Sequence, residues 1–280
     1  MERKNQDLTT PGDMERAYQD KMIEKNLARI GRKILVMSGK GGVGKSTVAG
    51  YLALMLSSSG YNVGLLDVDL HGPSIPNLIK IKGGLDMSEQ GKVKPYRYSE
   101  KLGIVSMGML IGEQDAAVIW RGPLKISAIR QFISDIEWGD LDYLIVDSPP
   151  GTGDEPLTIA QTIRDAEALI VTTPQEVSLA DVRKSINFCR QVKMKIIGVI
   201  ENMSIFICPH CGEESPIFGS GGGRKMASMM DVSMLGEIPL DPQVVKISEE
   251  NGLGALMNNK EWKINVVYNE IMGKIIDTGD

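Results

Sequence analysis

Three sets of residues in this chain have types and spacing suited to chemistry. The first is GKGGVGKST at residues 39–47, which fits G-x-x-x-x-G-K-[ST]. Glycines there let backbone N–H groups turn toward phosphate oxygens, and a following helix N-terminus adds favourable potential. Gly39, Gly41, Gly42, Val43, Gly44 and Thr47 would form the cradle, and Lys45 would reach the β- and γ-phosphates of ATP. The Ser46 hydroxyl would hold Mg²⁺. Lys40 adds a second cation at the start of the loop, suited to charge stabilisation at a transferring phosphoryl group.

The second set is acidic. Asp67 and Asp69 lie in LLDVDLHGPS, and Asp147 ends the run YLIVD. A hydrophobic run capped by aspartate places a carboxylate near the water shell of Mg²⁺. Ligand sites of parallel sheets gather at strand carboxyl ends, so these aspartates fit beside the phosphate loop. The glycines and prolines of DSPPGTGD suit a loop that moves when a γ-phosphate is lost. His71 is expected only to shape the first such loop. For the adenine, Asn202 at the end of IIGVIEN and Pro239 in IPLDPQV are candidates.

The third set is ICPHCG at 207–212. Cys208 and Cys211 form a C-x-x-C turn, half of a four-sulfur metal site. An iron–sulfur centre and a zinc knuckle both fit it. The remaining cysteine, Cys189, reads as a small buried hydrophobe on a helix with Val182 and Ile186. His210 lies between the paired cysteines, where its ring is expected to point away from a shared metal.

Short apolar runs alternate with helical patterns in the elements that carry these residues. Strands are expected at 33–38, 61–67, 102–108, 143–148, 168–173, 196–202 and 235–239. Helices are expected at 45–59, 123–136, 178–193 and 242–250, with a short amphipathic one running through Met22, Leu27 and Ile30. This alternation predicts an α/β fold with a mostly parallel central sheet and helices on both faces, and the phosphate loop at its strand end makes it a P-loop NTPase. Residues 1–20 are polar and expected to be partly disordered, with a single domain over 21–280. GSGGG at 219–223 reads as a flexible turn before a helix, and EWKINVVYNEIMGKII as a helix packed on the domain.

Bulk properties narrow the function. Net charge is −5 without a basic stripe, which argues against nucleic-acid binding. Three cysteines make no disulfide framework, and no stretch is long and apolar enough for a membrane span. The charged N-terminus has no signal-peptide pattern, so a cytoplasmic protein with no membrane partner is expected.

The loop GKGGVGKST resembles the deviant Walker A class, which includes MinD, ParA, the nitrogenase iron protein and the Mrp family. The stretches VIWRGPLKISAIRQF, EWGDLDYLIVDSPPGTGDEPLTIAQ, VTTPQEVSLADVRKS, GVIENMSIFICPHCG and IFGSGGGRKMA look like the Mrp family of ATP-binding iron–sulfur carriers, over roughly residues 20–250. The resemblance implies a homodimer in which Lys40 crosses to the partner's nucleotide. It implies Asp67 near Mg²⁺ and Asp69 positioning the attacking water. It also implies a 4Fe-4S cluster held between the two C-x-x-C pairs and passed to apoproteins, with slow ATP hydrolysis. Eukaryotic members carry an N-terminal four-cysteine site; residues 1–30 contain no cysteine, so no second cluster is expected. Two other readings stay open: a MinD/ParA-like regulatory switch, and an NTPase dimer with a structural zinc. The cluster donor and the recipients are not named by the sequence.

Overall fold

The computed structural model describes residues 11–69, 72–89, 91–109 and 122–279. His71 and the first residues of VIWRGP lie outside them, as do residues 1–10. The strands are β1 (Ile30–Met37), β2 (Val63–Asp67), β3 (Asp86–Met87), β4 (Val93–Lys94), β5 (Tyr96–Ser99) and β6 (Leu102–Ser106). They continue with β7 (Leu141–Asp147), β8 (Glu167–Thr172), β9 (Lys195–Ile207), β10 (Glu214–Ser215) and β11 (Met234–Leu240). The helices are α1 (Pro11–Leu27), α2 (Lys45–Ser58), α3 (Ile75–Ile79), α4 (Gly122–Asp135) and α5 (Asp154–Thr162). After them come α6 (Glu176–Gln191), α7 (Gly222–Met229), α8 (Pro242–Asn251) and α9 (Lys263–Asp277).

The main sheet runs β9-β8-β1-β7-β2-β6-β5, with β11 also paired to β9. Pairing is parallel from β11 through β9, β8, β1, β7 and β2 to β6. It is antiparallel where β5 joins β6 and where β10 joins the far end of β9. The short pair β3–β4 forms a separate antiparallel ribbon.

Strand side chains alternate between two cores, as the period of two requires. Leu35 and Met37 of β1 enter one core; Ile34 and Val36 enter the other. The first core is closed by Leu27 of α1, Ile129 of α4, Ile159 of α5, Ile186 and Cys189 of α6, and Met226 of α7. The second is closed by α2, Ile75 of α3, and Tyr268, Ile271 and Ile275 of α9. Helix α2 is buried from Val48 through Leu56, as a helix apolar on every side must be. The terminal helix thus spends its apolar face on the domain. None of the described helices is long and apolar enough to cross a membrane.

Two local expectations need correction. The helix expected to run through Ile30 ends at Leu27, and it begins at Pro11, inside the segment read as polar and partly disordered. Asn26 donates to the carbonyls of Ser134 and Ile136, both at 3.0 Å, and so fixes α1 along α4. Ile30 belongs instead to β1, in register with Leu141. The glycines at 221–223 are not a free turn: Gly222 and Gly223 are buried at the start of α7.

Candidate functional site

The loop after β1 turns where two glycines take left-handed backbone, Gly42 (φ 77°) and Gly44 (φ 79°). A Cβ added at Gly41 or Gly42 would meet nothing within 4 Å, so this arc faces open space. A concave run of backbone amides at the start of α2 suits a phosphate chain. Gly39 and Gly44 serve differently. A Cβ on Gly39 would lie 2.5 Å from Asp181 of α6, and one on Gly44 would lie 2.2 Å from Asn202 Nδ2. Those two glycines let neighbouring elements clamp the loop. Val43 buries its side chain in the second core, leaving its backbone to the loop, and Thr47 follows in the first turn of α2.

Lys45 is buried in the first turn of α2. Its Nζ pairs with Asp147 Oδ1 at the end of β7 and lies 3.4 Å from Ser46 Oγ. Asp147 stands beside Asp67 in the β2–β7 register, and both are fully buried. Asp67 accepts from Ser106 Oγ at 2.9 Å and from the Asp69 N–H at 3.1 Å. Asp69 accepts from the Gly72 N–H at 3.3 Å. Burial, then the adjacent Asp147 charge, pushes the Asp67 carboxyl up to about 7. Burial also raises Asp147, opposed by Lys45. The second oxygen of Asp147, Oδ2, is buried without a hydrogen-bond partner among the described residues. An orphaned carboxylate oxygen next to another carboxylate and a serine hydroxyl is a donor set that a hard divalent cation such as Mg²⁺ would satisfy.

The structure therefore brings Lys45, Ser46, Asp67, Asp69 and Asp147 together. Lys40 sits at the mouth of the loop, its Nζ 3.3 Å from Gln175 Oε1 and its carbonyl accepting from Ser38 Oγ at 2.9 Å. The loop after β7 is tied to the same place by the Gly151 N–H on the Ser38 carbonyl at 2.8 Å. Asn202 uses Nδ2 to brace the Val43 carbonyl at 2.9 Å, so that group holds the loop. Pro239 is buried one residue beyond Ile238, the register partner of Asn202.

Strand β9 continues past Asn202 through Met203, which has left-handed backbone (φ 58°), to the cysteine turn. The Gly212 N–H donates to the Cys208 carbonyl, and the Cys208 N–H to the Glu213 carbonyl, both at 2.9 Å. Cys208 is half-buried and Cys211 exposed; both are free thiols. The His210 and Cys211 backbone N–H groups, then the Cys211 thiol, aim at Cys208 sulfur and lower its thiol below the usual range. Such a turn stabilises thiolate, the form in which cysteine could bind a soft metal. Among the described residues no third histidine, cysteine or carboxylate joins the pair. Cys189 is buried far from it in the first core, as its sequence setting indicated.

Several functional contacts had no motif to announce them. Ser106 is known as the support of Asp67 only once β6 pairs with β2. Gln175 and Asp181 reach the phosphate loop through the sheet order. Glu201 did leave a signal, as a lone carboxylate at the end of an apolar run.

The family described as ParA: NUBPL iron-transfer P-loop NTPase matches residues 29–276. An iron–sulfur cluster carrier protein from Methanocaldococcus jannaschii is 45% identical over 93% of this chain and 89% of its own length. The cytosolic Fe-S cluster assembly factor CFD1 of Candida glabrata is 47% identical over 90% of this chain and 92% of its own. A nucleotide-binding protein from Archaeoglobus fulgidus, solved with ADP, superposes with a TM-score of 0.74 at 39% identity, covering 85% of this chain and 93% of that one. The MinD cell division ATPase of Pyrococcus furiosus shares the fold, with a TM-score of 0.62 at 20% identity over 89% and 99% of the two chains. Phosphate loop, paired strand-end aspartates and cysteine turn thus occur on one sheet rim, and the chain belongs to the ParA/NUBPL iron-transfer family of P-loop NTPases.

Proposed function

We propose that the protein is an ATP-dependent iron–sulfur carrier: a homodimer holding a 4Fe-4S cluster between two Cys208–Cys211 pairs and releasing it to apoproteins. The observation that carries this reading is the course of β9, whose Asn202 braces the phosphate loop and whose end bears the cysteine turn. Nucleotide and cargo would thus bear on one strand. Two thiolates per chain fall short of the four a cluster needs, and a two-fold axis supplies the other pair. The relatives named as cluster carrier and assembly factor support the cargo assignment. Relatives named as cytosolic support a cytoplasmic setting.

In the proposed ATPase, the arc 39–47 cradles the phosphates and Lys45 faces the β- and γ-phosphates. Lys40 reaches the nucleotide of the partner protomer. Ser46, with Asp67 and Asp147, would hold Mg²⁺, which when bound neutralises phosphoryl charge. Asp69 orients a water for attack on the γ-phosphate. A water-oxygen to phosphorus bond forms as the bridging oxygen to γ-phosphorus bond breaks, leaving ADP and phosphate. Pro239 flanks the base, and Asn202, whose Nδ2 holds the loop, offers it the remaining Oδ1. Slow turnover suits a carrier whose bound nucleotide times cargo release.

Anaerobic purification and reconstitution, with iron, sulfide and zinc analysis, tests the reading. A coloured dimer carrying about four irons per two chains, lost in Cys208→Ser, is expected. A colourless dimer with tightly bound zinc and no cluster after reconstitution would overturn it in favour of a structural metal.

A further inference from the structure

Glu201 is a carboxylate in the middle of a sheet, 1% exposed, on the strand that leads to the cysteines. Burying a carboxylate is costly unless donors surround it. Its donors come from the start of α7. Gly223 N–H donates to Glu201 Oε2 at 2.5 Å, and the Gly221 N–H adds to it. Gly221 reaches that position with left-handed backbone (φ 69°). A Cβ on Gly223 would lie 2.9 Å from Glu201 Oε2 and 3.2 Å from Thr172 Cγ2. The glycines of GSGGG therefore let a helix start seat directly on β8 and β9. Arg224 favours the Glu201 charge only weakly and is engaged with Glu237 at 2.9 Å, so the backbone N–H groups carry most of the burden.

The segment 208–221, with both cysteines, leaves β9 and returns at this helix start. Its first half is fastened by β10 on β9 and by the Lys263–Glu214 pair. Its return is fastened at Glu201. The next residue, Asn202, points to the opposite face and holds the phosphate loop. We propose that Glu201 is a positioning residue for the cysteine turn, clamping the start of α7 so that Cys208 and Cys211 keep a fixed place relative to the phosphate loop. This inference rests on the carrier reading for its consequence, though its geometry does not need the cargo.

The test uses the full-length protein and the variants Glu201→Gln, which keeps shape but loses charge, and Gly223→Ala, which displaces the carboxylate from the other side. Hydrogen exchange is read over 208–223 and over 39–47. Exchange in 208–223 should rise by roughly tenfold or more in both variants, while 39–47 stays within about twofold. In reconstituted protein, loss of cluster absorbance to a chelator should quicken by a similar factor, with nucleotide affinity unchanged. Unchanged exchange over 208–223 in both variants overturns the proposal, whatever the cargo does. So does a rise shared equally by 39–47, which marks Glu201 as general support for the fold. If wild-type protein holds no cluster yet 208–223 is loosened selectively, the carrier reading fails and the positioning role stands.

Discussion

Gly44→Ala should disable nucleotide binding, and the size of the loss can be worked from two independent strains. The first is conformational. Gly44 holds φ at 79°, and an L-residue with a Cβ loses roughly 1–2 kcal/mol there. The second is steric. The new Cβ would lie 2.2 Å from Asn202 Nδ2, which donates to the Val43 carbonyl at 2.9 Å. Displacing that amide leaves a buried donor and acceptor unpaired, at roughly 1–3 kcal/mol. Together the loop's binding shape is disfavoured by roughly 2–5 kcal/mol, or about 30-fold to a few thousand-fold in affinity. Titration of a fluorescent nucleotide analogue, with competition by ATP, reads this directly. The double variant Gly44→Ala with Asn202→Ala separates the strains in part, because it removes the clash and the stranded amide while keeping the backbone cost and the unpaired Val43 carbonyl. It should bind more tightly than Gly44→Ala alone. Affinity within threefold of wild type in Gly44→Ala would refute the reasoning. A double variant no better than the single would remove Asn202 from it.

Three further outcomes follow from the buried groups. Asp67 has its carboxyl raised from the ordinary 3.8 to about 7, so its contribution to stability is full below the ordinary value and lost as pH rises through the raised one. Asp67→Asn should therefore be more stable than wild type above pH 7, by on the order of a few kcal/mol, and show no advantage near pH 4; melting curves without nucleotide across pH check the direction. Lys45→Met should lose nucleotide binding and, by stranding Asp147, cost about 3–5 kcal/mol near neutral pH, with the loss shrinking as pH falls because burial raises the Asp147 carboxyl and favours its neutral form. Tyr51→Phe removes the buried donor to Asn265 Oδ1 and should cost roughly 1–3 kcal/mol in denaturant unfolding while nucleotide turnover is unchanged.

What could be read from the chain before folding follows the range of the forces involved. The phosphate loop is legible because its constraints are local: GKGGVGKST encodes left-handed turns, open backbone and the helix that follows, all within nine residues. The parallel sheet is legible because strands buried on both faces must be apolar throughout. The capping aspartates are legible because a charge at the end of such a run has one rim to reach. Asn202 is the opposite case. Its place at a strand end was readable and offered it to the base, but nothing local showed that its Nδ2 would also hold the Val43 carbonyl, a contact that exists only once β9 lies beside the loop. GSGGG misled for a related reason. Glycine frees a chain when nothing lies close, and it also permits the closest approach when something does; only the buried Glu201 beneath it decides between the two. Polarity misled at α1 too, since Asn26 and Arg130 tie down a helix whose own apolar residues are few. The residues that sequence left ambiguous are those through which one element holds another. In this fold they fall on β9, between the nucleotide loop and the cysteines.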